Sequence, residues 1–197
     1  TGYTFVNWTE NGQQVSTNAN YTFNVTGNRT LVANFTQQTY TISVSANPTT
    51  GGSVSGGGTY TQGQSCTVTA SANNGYTFVN WTENGQQVST NANYTFNVTG
   101  NRTLVANFTQ QTYSINVSAN PTAGGGVTGG GSNFHYGDNC TVTATPNNGY
   151  TFTKWTENGQ QVSTNASYSF SVHGNRTLVA NFTQQQYTIT ATASPTN

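Results

Sequence analysis

The sequence predicts an all-β protein built of tandem small β-sandwich or β-sheet modules of about 73 residues, with no helices. Three observations predict it: a long internal repeat, runs that alternate apolar and polar residues, and glycine or asparagine turn signals between those runs. The string GYTFVNWTENGQQVSTNANYTFNVTGNRTLVANFTQQTY runs from Gly2 to Tyr40 and returns letter for letter from Gly75 to Tyr113. A diverged copy starts at Gly149, so the two spacings are 73 and 74 residues. The extra residue falls within 132–140, where SNFHYGDNC stands in place of TYTQGQSC. Most surface substitutions change stability by less than about 0.5 kcal/mol, so perfect identity at every position points to recent duplication rather than to folding constraint.

The repeat divides the chain into a C-terminal half-module (1–39), two full modules (40–112 and 113–186) and the first strand of a further module (187–197). The chain does not begin with Met and shows no signal peptide, so it reads as a mature or excised piece of something longer.

Within a full module the elements follow in order. Tyr40-Thr-Ile42-Ser-Val44-Ser-Ala46 alternates with period two and stops at Asn47-Pro48, as a strand with one buried face does. Gly51-Gly52 and Gly56–Gly58 bracket a short strand around Val54. Cys66-Thr-Val68-Thr-Ala70-Ser-Ala72 is a third strand, closed by Asn73-Asn74-Gly75. Tyr76–Trp81 is a fourth, and its alternation slips between Phe78 and Trp81, the mark of a bulge or twist. Asn84-Gly85 suits a tight hairpin, with Gln86–Ser89 as its return. Tyr94-Thr-Phe96-Asn-Val98 is expected to turn at Gly100-Asn101 and pair back with Thr103–Phe108, which carries Leu104, Ala106 and Phe108 on one face. No segment has helical period, and a module this small is expected to gain support from its neighbours.

Charge narrows the function. Four Lys+Arg and four Asp+Glu make 4% of the chain and leave no net charge, against about a quarter charged in ordinary domains. Four dispersed cations cannot neutralise a run of phosphates or form a polybasic membrane patch, so neither nucleic acid nor a membrane surface is an expected partner. No stretch approaches the ~20 apolar residues of a membrane-spanning helix, and no membrane insertion is expected. Six of the eight charges are three copies of one pair: Glu10 with Arg29, Glu83 with Arg102, and Glu157 with Arg176. The neutrality therefore belongs to the module, and adding modules adds no net charge.

These residues resemble the divergent InlB B-repeat family of bacterial and archaeal surface proteins. The pattern of that family is a GG-x-V strand, a V-T-V-T-A strand, G-Y-x-F-x-x-W, N-G, and a last strand ending A-N-F. The chain has Gly51-Gly52-Ser53-Val54, Cys66–Ala70, Gly75–Trp81, Asn84-Gly85 and Leu104–Phe108. The next module repeats it with Gly125-Gly126-Val127, Cys140–Ala144, Gly149–Trp155 and Asn158-Gly159. The resemblance spans essentially the whole chain. It implies a compact β-rich module, strung in arrays on secreted or cell-surface proteins as a stalk, spacer or adhesive element.

Trp8, Trp81 and Trp155 share one repeat position, and read either as sugar-stacking platforms or as core anchors. Cys66 and Cys140 occur once per module, on an alternating strand, and read as buried free thiols or as inter-subunit cross-links. The Glu–Arg pairs read as structural ion pairs rather than acid–base machinery. His135, Asp138 and Cys140 have metal-binding chemistry, but the His and Asp lack counterparts near Cys66 and a zinc site needs three or four convergent ligands. No catalytic constellation or phosphate loop is present, the chain reads as no enzyme, and no metal or cofactor is expected. Sequons are dense, and candidate N-glycosylation sites are Asn20, Asn24, Asn28, Asn34, Asn93, Asn97, Asn101 and Asn107.

The expected function is structural: a repeat of an extracellular filament or cell-surface stalk, its partners being copies of itself or flanking repeats. A sharper expectation concerns polymerisation head to tail by β-strand complementation. There the segment with Tyr187, Ile189, Ala191 and Ala193 joins the half-module of the next subunit. The alternative is an adhesin or carbohydrate-binding module that meets glycans or a host surface through the tryptophans or Tyr-rich loops.

Overall fold

A computed structural model describes residues 2–194. Among the described residues the regular structure is all β apart from one 3-10 turn at Thr122–Gly124. The chain divides into two compact units, Thr1–Thr109 and Gln110–Asn197.

The first unit begins with β1 (Tyr3–Glu10), β2 (Gln13–Ser16) and β3 (Leu31–Gln37), which form a three-stranded sheet in the order β2-β1-β3. A complete module follows: β4 (Thr39–Asn47), β5 (Gly52–Ser55), β6 (Gly58–Thr61), β7 (Ser65–Ala72), β8 (Tyr76–Glu83), β9 (Gln86–Ser89), β10 (Asn93–Asn97) and β11 (Arg102–Gln110). Its strands make a five-stranded sheet, β6-β4-β11-β8-β9, and a three-stranded sheet, β10-β7-β5. The second unit repeats this with β12 (Tyr113–Asn120), β13 (Gly125–Thr128), β14 (Gly131–Phe134), β15 (Asn139–Pro146), β16 (Tyr150–Glu157), β17 (Gln160–Ser163), β18 (Ser167–Ser171) and β19 (Arg176–Gln184).

The two sheets of a module share one core. Ile42, Trp81, Leu104, Ala106 and Phe108 come from the larger sheet, and Cys66, Val68 and Ala70 from β7 of the smaller. The equivalent residues form a separate core in the second unit. Each module thus removes its apolar stripe from water by layering sheet on sheet.

One expectation is corrected. Thr103–Phe108 does not pair back with Tyr94–Val98 across Gly100-Asn101. The Asn93–Asn97 strand pairs antiparallel with β7, while β11 crosses to the other sheet and runs parallel to β4, with Leu104 opposite Val44. A hairpin would have set both apolar faces side by side in one sheet, with nothing opposite to cover them. The crossover places them in opposing layers instead.

The slip in alternation before Trp8 and before Trp155 is a bulge. The β1–β3 register shifts between Phe5 and Asn7, and the β16–β19 register between Phe152 and Lys154. The extra residue points outward, as exposed Val6 does, and the phase change returns Trp to the same face as Phe. The additional residue of the second full module is also absorbed by a bulge. In the first, Tyr40 pairs with Tyr60 and Ile42 with Gly58. In the second, Tyr113 pairs with Phe134 but Ile115 with Gly131, and Asn133 takes a φ of 72° to make room.

The paired glycines of the GG-x-V motif are set by Phe108. A Cβ on Gly51 would lie 2.6 Å from the Phe108 Cβ, and one on Gly52 would lie 2.5 Å from its ring. Gly124 and Gly125 face Phe182 in the same way. The aromatic ring at the end of β11 thus lies flat on bare backbone.

The segment 187–194, expected as a strand, forms none; residues 195–197 of that expectation lie outside the described residues. Tyr187 and Ile189 are exposed, Ile189 at 93%. A strand is stable only beside a partner edge, and alternation alone does not supply one.

Candidate functional site

Trp81 and Trp155 are wholly buried, and each indole N–H donates to a backbone carbonyl of its own module, Ala92 at 3.1 Å and Ala166 at 3.2 Å. Neither offers a face to a sugar, which removes these two from the stacking-platform reading. Trp8 keeps the same bond, to the Ala19 carbonyl at 3.1 Å, but is only half-buried.

Both cysteines are buried free thiols. Cys66 Sγ lies 3.4 Å from the Gly56 carbonyl, and Cys140 Sγ lies 3.3 Å from that of Gly129. Burial pushes the Cys140 thiol up from its ordinary pKa. Asp138 does not converge with Cys140. Its Oδ2 accepts from the His135 backbone N–H at 2.7 Å, the turn-closing role that Gln64 Oε1 plays for Thr61. Among the described residues no three His, Cys, Asp or Glu side chains gather, and no pocket opens.

The Glu–Arg pairs are more than ion pairs. Arg102 Nη2 donates to Glu83 Oε2 at 2.6 Å and Nε reaches both carboxylate oxygens, while Nη1 donates to the Tyr94 hydroxyl at 3.2 Å. The guanidinium lies 4.3 Å over the Phe96 ring. Glu83 and Arg102 stand on the five-stranded sheet, and Tyr94 and Phe96 on the three-stranded one. The group therefore fastens the two layers at their edge. It recurs with Arg29 on Glu10, Tyr21 and Phe23, and with Arg176 on Glu157, Tyr168 and Phe170. The bonded guanidinium holds the Glu10 and Glu83 carboxyls below the usual carboxylate range. Sequence spacing exposed the charged pair. The aromatic bed, a Tyr eight and a Phe six residues before each Arg, was visible only as an alternating strand.

A second group was missed altogether. The Asn of each A-N-F motif ties down the segment that flanks the tryptophan in the neighbouring strand. Asn107 Nδ2 donates to Asn80 Oδ1 at 2.9 Å and to Thr82 Oγ1 at 3.0 Å, and Asn34 does the same to Asn7 and Thr9. Asn181 reaches the Lys154 carbonyl and Thr156 Oγ1. Two sequon asparagines, Asn34 and Asn107, thus have their side-chain amides engaged inside the sheet. Asn20, Asn24, Asn28, Asn93, Asn97 and Asn101 are exposed; Asn101 Oδ1 also accepts from the Thr41 N–H at 2.8 Å.

The surface left open is the inner face of the first half-module. Its sheet ends at β3, with no strand in the place β4 holds beside β11. Phe35 is 58% exposed where Phe108 is 6%, and Val25 is 81% exposed where Val98 is 0%. Leu31 and Ala33 are half-buried where Leu104 and Ala106 are sealed. Residues 21–26 form no strand, because the half-module has no counterpart of β7 for them to pair with.

Comparison with known families matches the divergent InlB B-repeat domain three times in succession, over residues 1–39, 42–112 and 115–186. No curated protein and no solved structure matches the chain. The chain belongs to the divergent InlB B-repeat family and carries a structural repeat of surface proteins. No helix among the described residues is long and apolar enough to cross a membrane.

Proposed function

We propose that this stretch of divergent InlB B-repeats is a non-catalytic spacer of an extracellular filament or cell-surface stalk, outside the cell, and that it joins to its like by strand addition. The observation that carries the reading is where the chemistry-bearing side chains are spent. Buried indoles, buried thiols and all three Glu–Arg clamps are engaged within their own module. Such a module offers length and cohesion, and tandem copies add both in equal steps.

The finer part concerns the edge of β3. In complete modules the first strand runs parallel to the last, with Ile42 opposite Arg102 and Ile115 opposite Arg176. The segment with Tyr187, Ile189, Ala191 and Ala193 carries the same alternation as β4. By that register Ile189 would lie opposite Arg29 of a second copy, or of a flanking repeat. Each such junction is heterologous and leaves another free edge, so it propagates.

The test is electron microscopy and sedimentation of the 197-residue chain beside a version ending at residue 186. Filaments from the longer chain alone support strand addition. Filaments from both, or from neither, refute it.

A further inference from the structure

We infer that the cluster of His135, Tyr136, Asp138 and His173 is a binding site for an uncharged pyranose sugar, carried by the second full module and not by the first. It adds recognition to a spacer and is independent of strand addition.

The two full modules supply the argument between them. Thr61, Gln62, Gln64 and Thr99 of the first stand where the second has His135, Tyr136, Asp138 and His173. Elsewhere the exchanges between these modules bring in no new ring and no new acid. Most trade one small residue for another, and Lys154 replaces Asn80. The extra residue of the second module falls in the same segment, at the bulge of Asn133. Tyr136 and His173 are far apart in the chain, yet their ring centroids lie 4.6 Å apart with the planes 32° from parallel. His135 Nδ1 stands 3.6 Å from Asp138 Oδ2. Tyr136 is 38% exposed, and the side chains of His135, Asp138 and His173 also reach the surface. Changes in two remote stretches thus meet at one surface spot.

The fold does not require them. The Gly63 N–H donates to the Val98 carbonyl as the Gly137 N–H does to that of Val172. The Val98 N–H donates to the Gln64 carbonyl as the Val172 N–H does to that of Asp138. Gln64 Oε1 closes the first turn as Asp138 Oδ2 closes the second. Three rings and a carboxylate on a turn that forms without them are surplus to folding.

Their chemistry selects the ligand. Stacked rings on a closed turn offer a rigid face to the C–H side of a sugar ring at little entropic cost. Asp138 Oδ2 is spent on the turn, which leaves Oδ1 to accept from a sugar hydroxyl, and the imidazoles can donate or accept. None of the four is Lys or Arg and one is an acid, so an anion is disfavoured. A metal needs three or four convergent ligands, and no such group gathers among the described residues. A purely apolar partner would leave the carboxylate and imidazoles without hydrogen bonds.

The test is saturation-transfer difference NMR of the full chain with cello-, laminari-, manno- and chito-hexaoses. Each is titrated to about 10 mM, well above the Kd of about 1 mM expected of a shallow, weak site. The signal is read on the sugar, so filament growth and sugar binding succeed or fail separately. The expected result is saturable transfer to at least one hexaose, strongest at ring C–H protons. Tyr136→Gln with His173→Thr restores the residues of the first module, so this variant should melt like the parent and bind about tenfold or more weakly. Asp138→Gln, again the first module's residue, should weaken binding about threefold or more. The inference is overturned if no hexaose shows transfer, if the double variant binds as well as the parent, or if a heparin hexasaccharide binds in preference to the uncharged sugars. A lowered melt of the double variant would assign the rings to folding and overturn it too.

Discussion

The guanidinium of Arg102 lies 4.3 Å from the centroid of the Phe96 ring, although the two residues belong to opposite sheets of the module. Its edge is meanwhile held by Glu83 on the neighbouring strand. A planar cation is needed for both at once: a fork to meet two carboxylate oxygens, and a face to lie on the ring.

Lysine in place of Arg102 keeps the charge and loses the fork and the face. Arg102→Lys is expected to cost about 1–2 kcal/mol, more than the ~0–1 kcal/mol of an ordinary exposed ion pair. Urea unfolding of Arg102→Lys, Phe96→Leu and the double variant checks this. A positive coupling between the two sites is expected, and simple additivity would remove the ring from the account.

The same clamp sets an acid limit. The Glu83 carboxyl titrates below its ordinary value, chiefly through its bond to Arg102. Its contribution is fully present above the unfolded carboxylate pKa of about 4.3, and is lost as pH falls through the lowered folded value. The stability difference between the parent chain and Glu83→Gln should therefore be flat from about pH 8 to 5 and shrink below about pH 4. Denaturation midpoints measured across that range decide it. A difference that persists at low pH would assign the clamp to packing alone.

The glycine pair makes a sharper demand. Gly52→Ala drives a methyl group into the Phe108 ring and is expected to destabilise by about 1–3 kcal/mol, the usual range for overpacking. Gly126 meets nothing within 4 Å and stands where the other full module has Ser53, so Gly126→Ser should be neutral within about 0.5 kcal/mol. Thermal melts of the two variants side by side give the comparison.

Thiol chemistry should follow burial. Cys66 and Cys140 are both sealed, and Cys140 is also held in its protonated form by burial. Iodoacetamide is expected to leave the native chain unlabelled and to add two groups per chain after unfolding, read by intact mass. Rapid native labelling of either thiol would show that its module opens readily.

The engaged amides of Asn34 and Asn107 give a last distinction. Attaching a glycan replaces one of the hydrogens that Asn107 donates within the sheet. Expression through a glycosylating secretory route should therefore leave these two sequons bare, whatever happens at Asn93 and Asn97, which are exposed. Site-resolved peptide mass mapping reads the outcome.

Period-two alternation in Tyr40–Ala46 and Cys66–Ala72, with Asn84-Gly85 and its kin as punctuation, determined the strands, their buried faces and the repeat from sequence alone. Those signals are local: they say which side of a strand is apolar and where the chain turns. They do not say which strand lies beside which. The parallel pairing of β11 with β4, the layer opposite Tyr94 and Phe96, and the hold of Asn107 on Asn80 and Thr82 join residues 25 to 60 positions apart, and only the tertiary structure decided them. Phe35 and Phe108 mark the boundary between the two kinds of information. They stand in identical sequences, and one is exposed while the other is buried. Burial depends on the residues that arrive from elsewhere in the chain, and the second strand layer arrives over only one of them.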